Sequence, residues 1–254
     1  MAAAPVVPMP APEEAPLSEG ARIVDTFLAP NRSFLDLRRN ASWWAPFLLL
    51  SIATLGFSYT IDQKIGFRKV TENQIQQSPK LAQRFERQSP DQQRQAVDLQ
   101  AAGLKYFLYG YPAVILLSNL IIAALLFATF RFAAGADLKF KTFYAIVMYA
   151  SLPLVVKTIL AILSLAAGAN PDTFVLQNPV MTNPGYFLSP ADSPFLFSLA
   201  SAVDIFMIWT LVLTAIGFAA VAKLKRSTAL AVVFIWYFVF VLGSGSAAMF
   251  SGKG

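Results

Sequence analysis

Five long stretches of the chain are apolar and nearly free of charge, at about 43–61, 106–130, 142–167, 195–222 and 228–250. A helix rises about 1.5 Å per residue, so some twenty such residues cross a hydrocarbon core of about 30 Å. Polar and charged residues crowd instead into segments 13–40 and 62–105. This alternation predicts an all-α membrane protein, a bundle of five transmembrane helices. The pair Trp43–Trp44 opens the first span, where aromatic rings favour the headgroup boundary. The second span, bracketed by Lys105 and Arg131, is longer than the core requires, so tilt or a kink is expected, with Pro112 as the kink site. The fifth ends in the small-residue run GSGSAA.

The remaining segments read differently from one another. Residues 1–20, rich in Pro and Ala without a basic start or apolar core, are expected to form a disordered tail rather than a signal peptide. In 21–41, Ile23, Val24, Phe27 and Leu28 recur at helical spacing until Pro30, and Phe34, Leu35 and Leu37 then oppose Arg32, Arg38 and Arg39. Two amphipathic pieces lying in the headgroup layer fit this pattern, as does a segment packed on the bundle. Residues 42–254 form the membrane domain, with 62–105 as a polar insert. Ser78-Pro79 and Ser89-Pro90 each place a capping residue before a first-turn proline, which predicts helices near 79–88 and 90–104. Their sparse apolar residues, Leu81, Phe85, Val97, Leu99 and Leu104, are too few for a separate core. They are expected to lean on each other or on the membrane surface. In 168–195, five prolines argue against long helices.

Composition narrows the chemistry. The apolar share is 56%, the charged share 13% and the mean hydropathy +0.56, which a soluble domain does not show. The chain has no Cys and no His. Thiolate metal sites, cysteine nucleophiles, Ser-His hydrolysis, histidine-bound zinc and haem ligation by His are thereby excluded. No enzyme, catalytic residue, metal or cofactor is expected. The net charge of +6 serves membrane anchoring rather than nucleic acid, since no nucleic-acid-binding fold surrounds the basic residues. The partners this leaves are the lipid bilayer and a membrane protein, either a different one or a second copy.

Short loops carry the orientation signal. Arg131, Lys139 and Lys141 lie between spans two and three, and Lys223, Lys225 and Arg226 between four and five; the loop between three and four has no Lys or Arg. With Arg38 and Arg39 before span one, these basic anchors place the N-terminus in the cytoplasm and the C-terminus outside. The insert, with eight basic and five acidic residues, then lies outside against its own charge.

Two charges interrupt the spans, Lys157 in the third and Asp204 in the fourth. A lone charge at mid-membrane costs at least about 2.5–3.5 kcal/mol, so each needs a partner. Counting from the outer ends of antiparallel neighbours puts both about 14–15 Å deep. An ion pair follows, with Asn119 and Trp209 as polar neighbours. It acts as a buried clasp or as a proton- or ion-linked site, unless both groups snorkel to the interface unpaired.

The segments RIVDTFLAPNRSFLDLRRNASWWAPFLLL, FYAIVMYASLPLVV and VDIFMIWTLVLTAIGFAAVAKLKRSTALAVV resemble the Yip1 domain family. The resemblance covers 22–50 and about 106–250. It implies five spans, a cytoplasmic N-terminus and a signature of Pro153, Asp204, Phe206 and Trp209. Eukaryotic members serve vesicle trafficking and contact Rab GTPases. This chain lacks their DLYGP-type motif and carries an insert foreign to them, so it resembles the bacterial branch, in the cytoplasmic (inner) membrane. The function expected is non-enzymatic: organising or recruiting membrane components through protein or lipid contacts. The competing expectation is a small transporter or channel built on Lys157 and Asp204.

Overall fold

The computed structural model describes residues 15–135 and 139–252. Most of the expected N-terminal tail lies outside the described residues. At its end, α1 (Glu19–Leu28) begins two residues earlier than the sequence pattern suggested, because Ser18 Oγ accepts from the Ala21 amide and caps it. Pro30 ends that helix and opens α2 (Pro30–Asp36). The helices that follow are α3 (Trp44–Lys64), α4 (Phe67–Gln76), α5 (Pro79–Glu86), α6 (Pro90–Tyr109) and α7 (Tyr111–Ala134). After them come α8 (Phe140–Ala150), α9 (Pro153–Ala166), α10 (Pro194–Ala202), α11 (Ile205–Ala222) and α12 (Arg226–Gly252). Short 3₁₀ turns at Pro171–Thr173 and Pro184–Phe187 shape the loop before α10.

Five stretches are long and apolar enough to span a bilayer: Trp44–Lys64, Tyr111–Phe132, Phe140–Ala166, Ile205–Ala222 and Arg226–Gly245. Two differ in kind from the uniform rods the sequence suggests. The third breaks at Ser151–Leu152, with Pro153 opening α9 at a position where its missing N–H costs nothing. The expected fourth span, 195–222, is two helices that part at Val203–Asp204, so the crossing helix is α11 alone. Pro112 also proves not to be a kink. It sits in the first turn of α7, after a break at Gly110 that separates the polar α6 from the apolar α7.

Helix α8 is the centre of the bundle. Residues Thr142 to Ala150 are all buried, so no face of this half-span meets lipid. Phe143 packs against Phe127, Phe130 and Phe218, with ring centroids 4.9–6.5 Å apart. Helices α1 and α2 contribute to that enclosure. Phe34 and Leu37 are fully buried, and the Phe34 ring lies against Gly217 of α11, where a Cβ would stand 3.1 Å from the ring and 2.6 Å from Ile146 Cγ2.

The insert, between α3 and α7, lies at the end of the bundle opposite the α7–α8 and α11–α12 turns. It holds a helix the sequence reading did not separate, α4, whose Phe67, Val70 and Ile75 are buried. Gly66, at φ 83°, makes the turn from α3 into it. α4 packs on α6, and Ile61, Phe67, Val70, Ala101, Leu108, Leu165 and Phe174 form a second small core beneath the insert. The insert is therefore a folded platform seated on the span ends.

Candidate functional site

Asp204 stands at the break between α10 and α11. Its Oδ1 accepts from the backbone amides of Phe206 (2.9 Å) and Met207 (3.2 Å), capping α11. Its Oδ2 accepts from Lys157 Nζ (2.8 Å), Thr182 Oγ1 (2.5 Å) and Asn183 Nδ2 (3.3 Å). Lys157 and Asp204 are thus brought together, from α9 and from a helix terminus. The Asp204 side chain is 3% exposed and that of Lys157 23%. The partners the sequence could not supply are Thr182 and Asn183, from the proline-rich loop. That loop folds inward, and the Ile205 amide donates to the Thr182 carbonyl. Asn183 Nδ2 also donates to Asn178 Oδ1, and Asn178 Nδ2 to Ser201 Oγ, continuing a polar chain from the ion pair to α10. The signal available in the sequence was the Thr182-Asn183 pair within a loop free of Lys and Arg.

The two polar neighbours expected for the pair are engaged elsewhere. Asn119 accepts from Ser151 Oγ (3.2 Å) and donates to the Ile115 carbonyl (2.9 Å), holding α7 to the break before α9. Trp209 stacks on Phe206 (6.5 Å) and meets Phe27 edge-on (5.5 Å), tying α11 to α1. Of the signature residues, Pro153 opens α9, Asp204 caps α11, and Phe206 and Trp209 form the aromatic contact that follows the cap.

A second charged network lies beside α8, and sequence reading missed it. Arg22 is 1% exposed. Its Nη2 is 2.5 Å from Asp36 Oδ2, its Nη1 reaches Glu19 (3.3 Å) and the Tyr149 hydroxyl (3.4 Å), and Tyr149 donates to Glu19 Oε2 (2.5 Å). Thr26 and Ser33 donate to the Arg22 carbonyl. The α1–α2 pair therefore presents a polar seam to the bundle while Val24, Leu28 and Leu35 remain exposed. Segment 21–41 packs on the bundle and leaves these apolar side chains on its outward face.

The basic anchors Arg38, Arg39, Lys139, Lys141, Lys223, Lys225 and Arg226 are all exposed. They gather at the end of the bundle where α3, α8 and α12 begin and α7 and α11 finish. Lys223 takes the left-handed conformation, φ 55°, that ends α11. At the opposite end, the platform is fastened by Lys105–Asp62 (3.0 Å) and Lys69–Asp172 (2.5 Å). Hydrogen bonds to these carboxylates hold both lysines' pKa above the ordinary value. Asn73 Nδ2 donates to the carbonyls of Pro171 (2.7 Å) and Phe174 (3.2 Å), joining α4 to the loop. Among the described residues no group of acidic side chains is placed to hold a metal ion.

No curated protein and no solved structure matches the chain. The model of the Yip1 domain, in contrast, matches residues 24–247, nearly the whole of the bundle together with α1 and α2, and the chain belongs to the Yip1 domain family.

Proposed function

We propose that this Yip1-domain membrane protein is non-enzymatic and organises or recruits membrane components through protein or lipid contacts. Its setting in this reading is a bacterial cytoplasmic membrane, with the basic end of the bundle in the cytoplasm and the platform outside. One observation carries the contact-making role over transport: every acceptor position of Asp204 is taken. Three side-chain donors and two backbone amides converge on a single carboxylate. A transport site must exchange its partners, whereas a saturated carboxylate that also caps a helix serves as a clasp. What the molecule offers for interaction is the platform at one end and the α1–α2 pair with its basic neighbours at the other. The absence of His and Cys removes the usual catalytic groups.

Transport keeps one observation in its favour. Asn183 Oδ1 is buried beside the pair with no hydrogen-bond partner among the described residues, an acceptor that a solute could use. Cross-linking and mass spectrometry in native membranes, paired with flux assays on reconstituted protein, separates the two. A reproducible partner without flux supports the contact-making role. Flux that Asp204→Asn abolishes, with no partner captured, overturns it. Orientation is testable because the chain has no native Cys. Labels at Lys139→Cys and Asp91→Cys should react from opposite sides, the former only from the cytoplasm.

A further inference from the structure

Between the platform and α10 lies a cleft of about 960 Å³, at the upper end of the roughly 300–1,000 Å³ typical of small-molecule sites. We propose that this cleft holds the anionic headgroup of a membrane phospholipid. The proposal rests on the reading of the chain as a contact-making membrane protein and names one of its ligands.

Charge is the first argument. Lys80 and Arg84 line one wall from α5, and no Asp or Glu lines the cleft. The two lie four residues apart, so they share a helix face. Among the described residues neither has an ion-pair partner, unlike Lys69, Lys105 and Lys157. Gln77 and Gln177 add neutral donors able to bond phosphate or glycerol oxygens. Ser201, also in the lining, is the terminus of the polar chain from Asp204.

Depth is the second argument, and it selects a lipid over a soluble anion. The opposite wall is α10, through Pro194, Phe197 and Ser198. α10 runs beside the far end of α12. A side-chain carbon at Gly245 would lie 3.3 Å from the Phe195 ring, and Tyr237 donates to the Ala202 carbonyl at 2.7 Å. Gly245 lies 19 residues beyond Arg226, the first residue of α12, which at about 1.5 Å per residue is close to the roughly 30 Å of a hydrocarbon core. The start of α10, and the cleft with it, therefore stands at the membrane boundary, where headgroups reside. Leu196 on α10 and Phe238 on α12 are more than half exposed, an apolar flank for acyl chains. One wall thus matches phosphate and the other the start of a hydrocarbon tail.

The test uses the full chain in phosphatidylcholine vesicles containing trace spin-labelled phosphatidylglycerol or spin-labelled phosphatidylcholine. One cation beside an anionic headgroup changes affinity about fivefold. The motionally restricted phosphatidylglycerol signal should exceed that of phosphatidylcholine at low salt, and Lys80→Gln with Arg84→Gln should cut the excess at least about fivefold. Lys223→Gln with Lys225→Gln removes the same charge from the basic anchors at the other end, and it should lower the excess by less than the cleft pair does. Both cleft side chains reach solvent, so an unaltered melting curve verifies that the variant folds. Equal restriction of the two lipids, or a preference that survives the cleft substitutions, overturns the proposal. Loss of the preference on adding millimolar inorganic phosphate also overturns it and reassigns the cleft to a soluble anion. Cross-linked partners are read on the same variants: their absence in the wild type bears on the contact-making role, and lipid preference bears on the cleft alone.

Discussion

Lys157 Nζ lies 2.8 Å from Asp204 Oδ2, and this contact joins the middle of α9 to the terminus of α11 rather than one mid-helix position to another. The placement separates two roles of Asp204. Asparagine keeps the cap and loses the charge, whereas alanine loses both. Asp204→Asn should cost less than Asp204→Ala by about 1 kcal/mol, the usual worth of an N-cap. Lys157→Met leaves a buried carboxylate and should lower stability by about 3 kcal/mol or more. The double change Lys157→Met/Asp204→Asn should recover part of the combined loss in SDS unfolding from mixed micelles. Additive losses would refute the ion pair as a stabilising unit.

The Arg22–Asp36 pair makes a similar demand on the N-terminal helices. Removing either partner strands a charge that is almost wholly buried. Arg22→Met and Asp36→Leu should each cost about 3–5 kcal/mol, with the double variant well short of their sum. Arg22→Lys should not rescue, because a single ammonium cannot bond Asp36, Glu19 and Tyr149 in the fork geometry of a guanidinium. Proteolysis between α1 and α3, followed by mass spectrometry, reports whether the pair has left the bundle.

Two glycines mark close approaches that differ in what they meet. At Gly217 a Cβ would come within 2.6 Å of Ile146 Cγ2 and 3.1 Å of the Phe34 ring, both side chains. Gly217→Ala should cost about 1–3 kcal/mol, and Phe34→Leu should restore part of it. At Gly185 the obstacle is backbone, with Ser201 N at 2.7 Å and its Cα at 2.9 Å. A backbone cannot yield by changing rotamer. Gly185→Ala should therefore be the more damaging of the two in thermal melting, and no single side-chain truncation should rescue it.

The Lys69–Asp172 contact predicts an alkaline limit for docking of α4 on the loop. Its hydrogen bond to Asp172 raises the Lys69 pKa above the unfolded value of about 10.4. A raised lysine contributes fully below the unfolded pKa and loses that contribution as pH rises through the folded one. The difference in melting temperature between wild type and Asp172→Asn should be constant from about pH 6 to 9 and shrink as pH rises past the unfolded value of about 10.4. A difference that shrinks already near neutrality would place another group in control.

Span number was legible because crossing a bilayer imposes a requirement on consecutive residues, and hydropathy over some twenty positions reads it directly. The starts of α5 and α6 were legible for the same local reason, a Ser followed by Pro. The basic end of the bundle was readable from loop charge, and the structure gathers those side chains at one end. Helix α4 was hidden, since Phe67, Val70 and Ile75 carry its buried face amid seven polar residues.

By itself, then, the sequence determined the elements that depend on neighbours along the chain: five apolar spans, capped insert helices and the charged turns. Tertiary structure decided what depends on residues far apart. The fourth span breaks at Asp204 because one carboxylate caps α11 while accepting from Lys157, 47 residues away, and from Thr182 in a loop. Arg22 is buried because Asp36 and Tyr149, 14 and 127 positions distant, converge on it. A hydropathy window averages over such groups, since their burial is favourable only once the partners are in place.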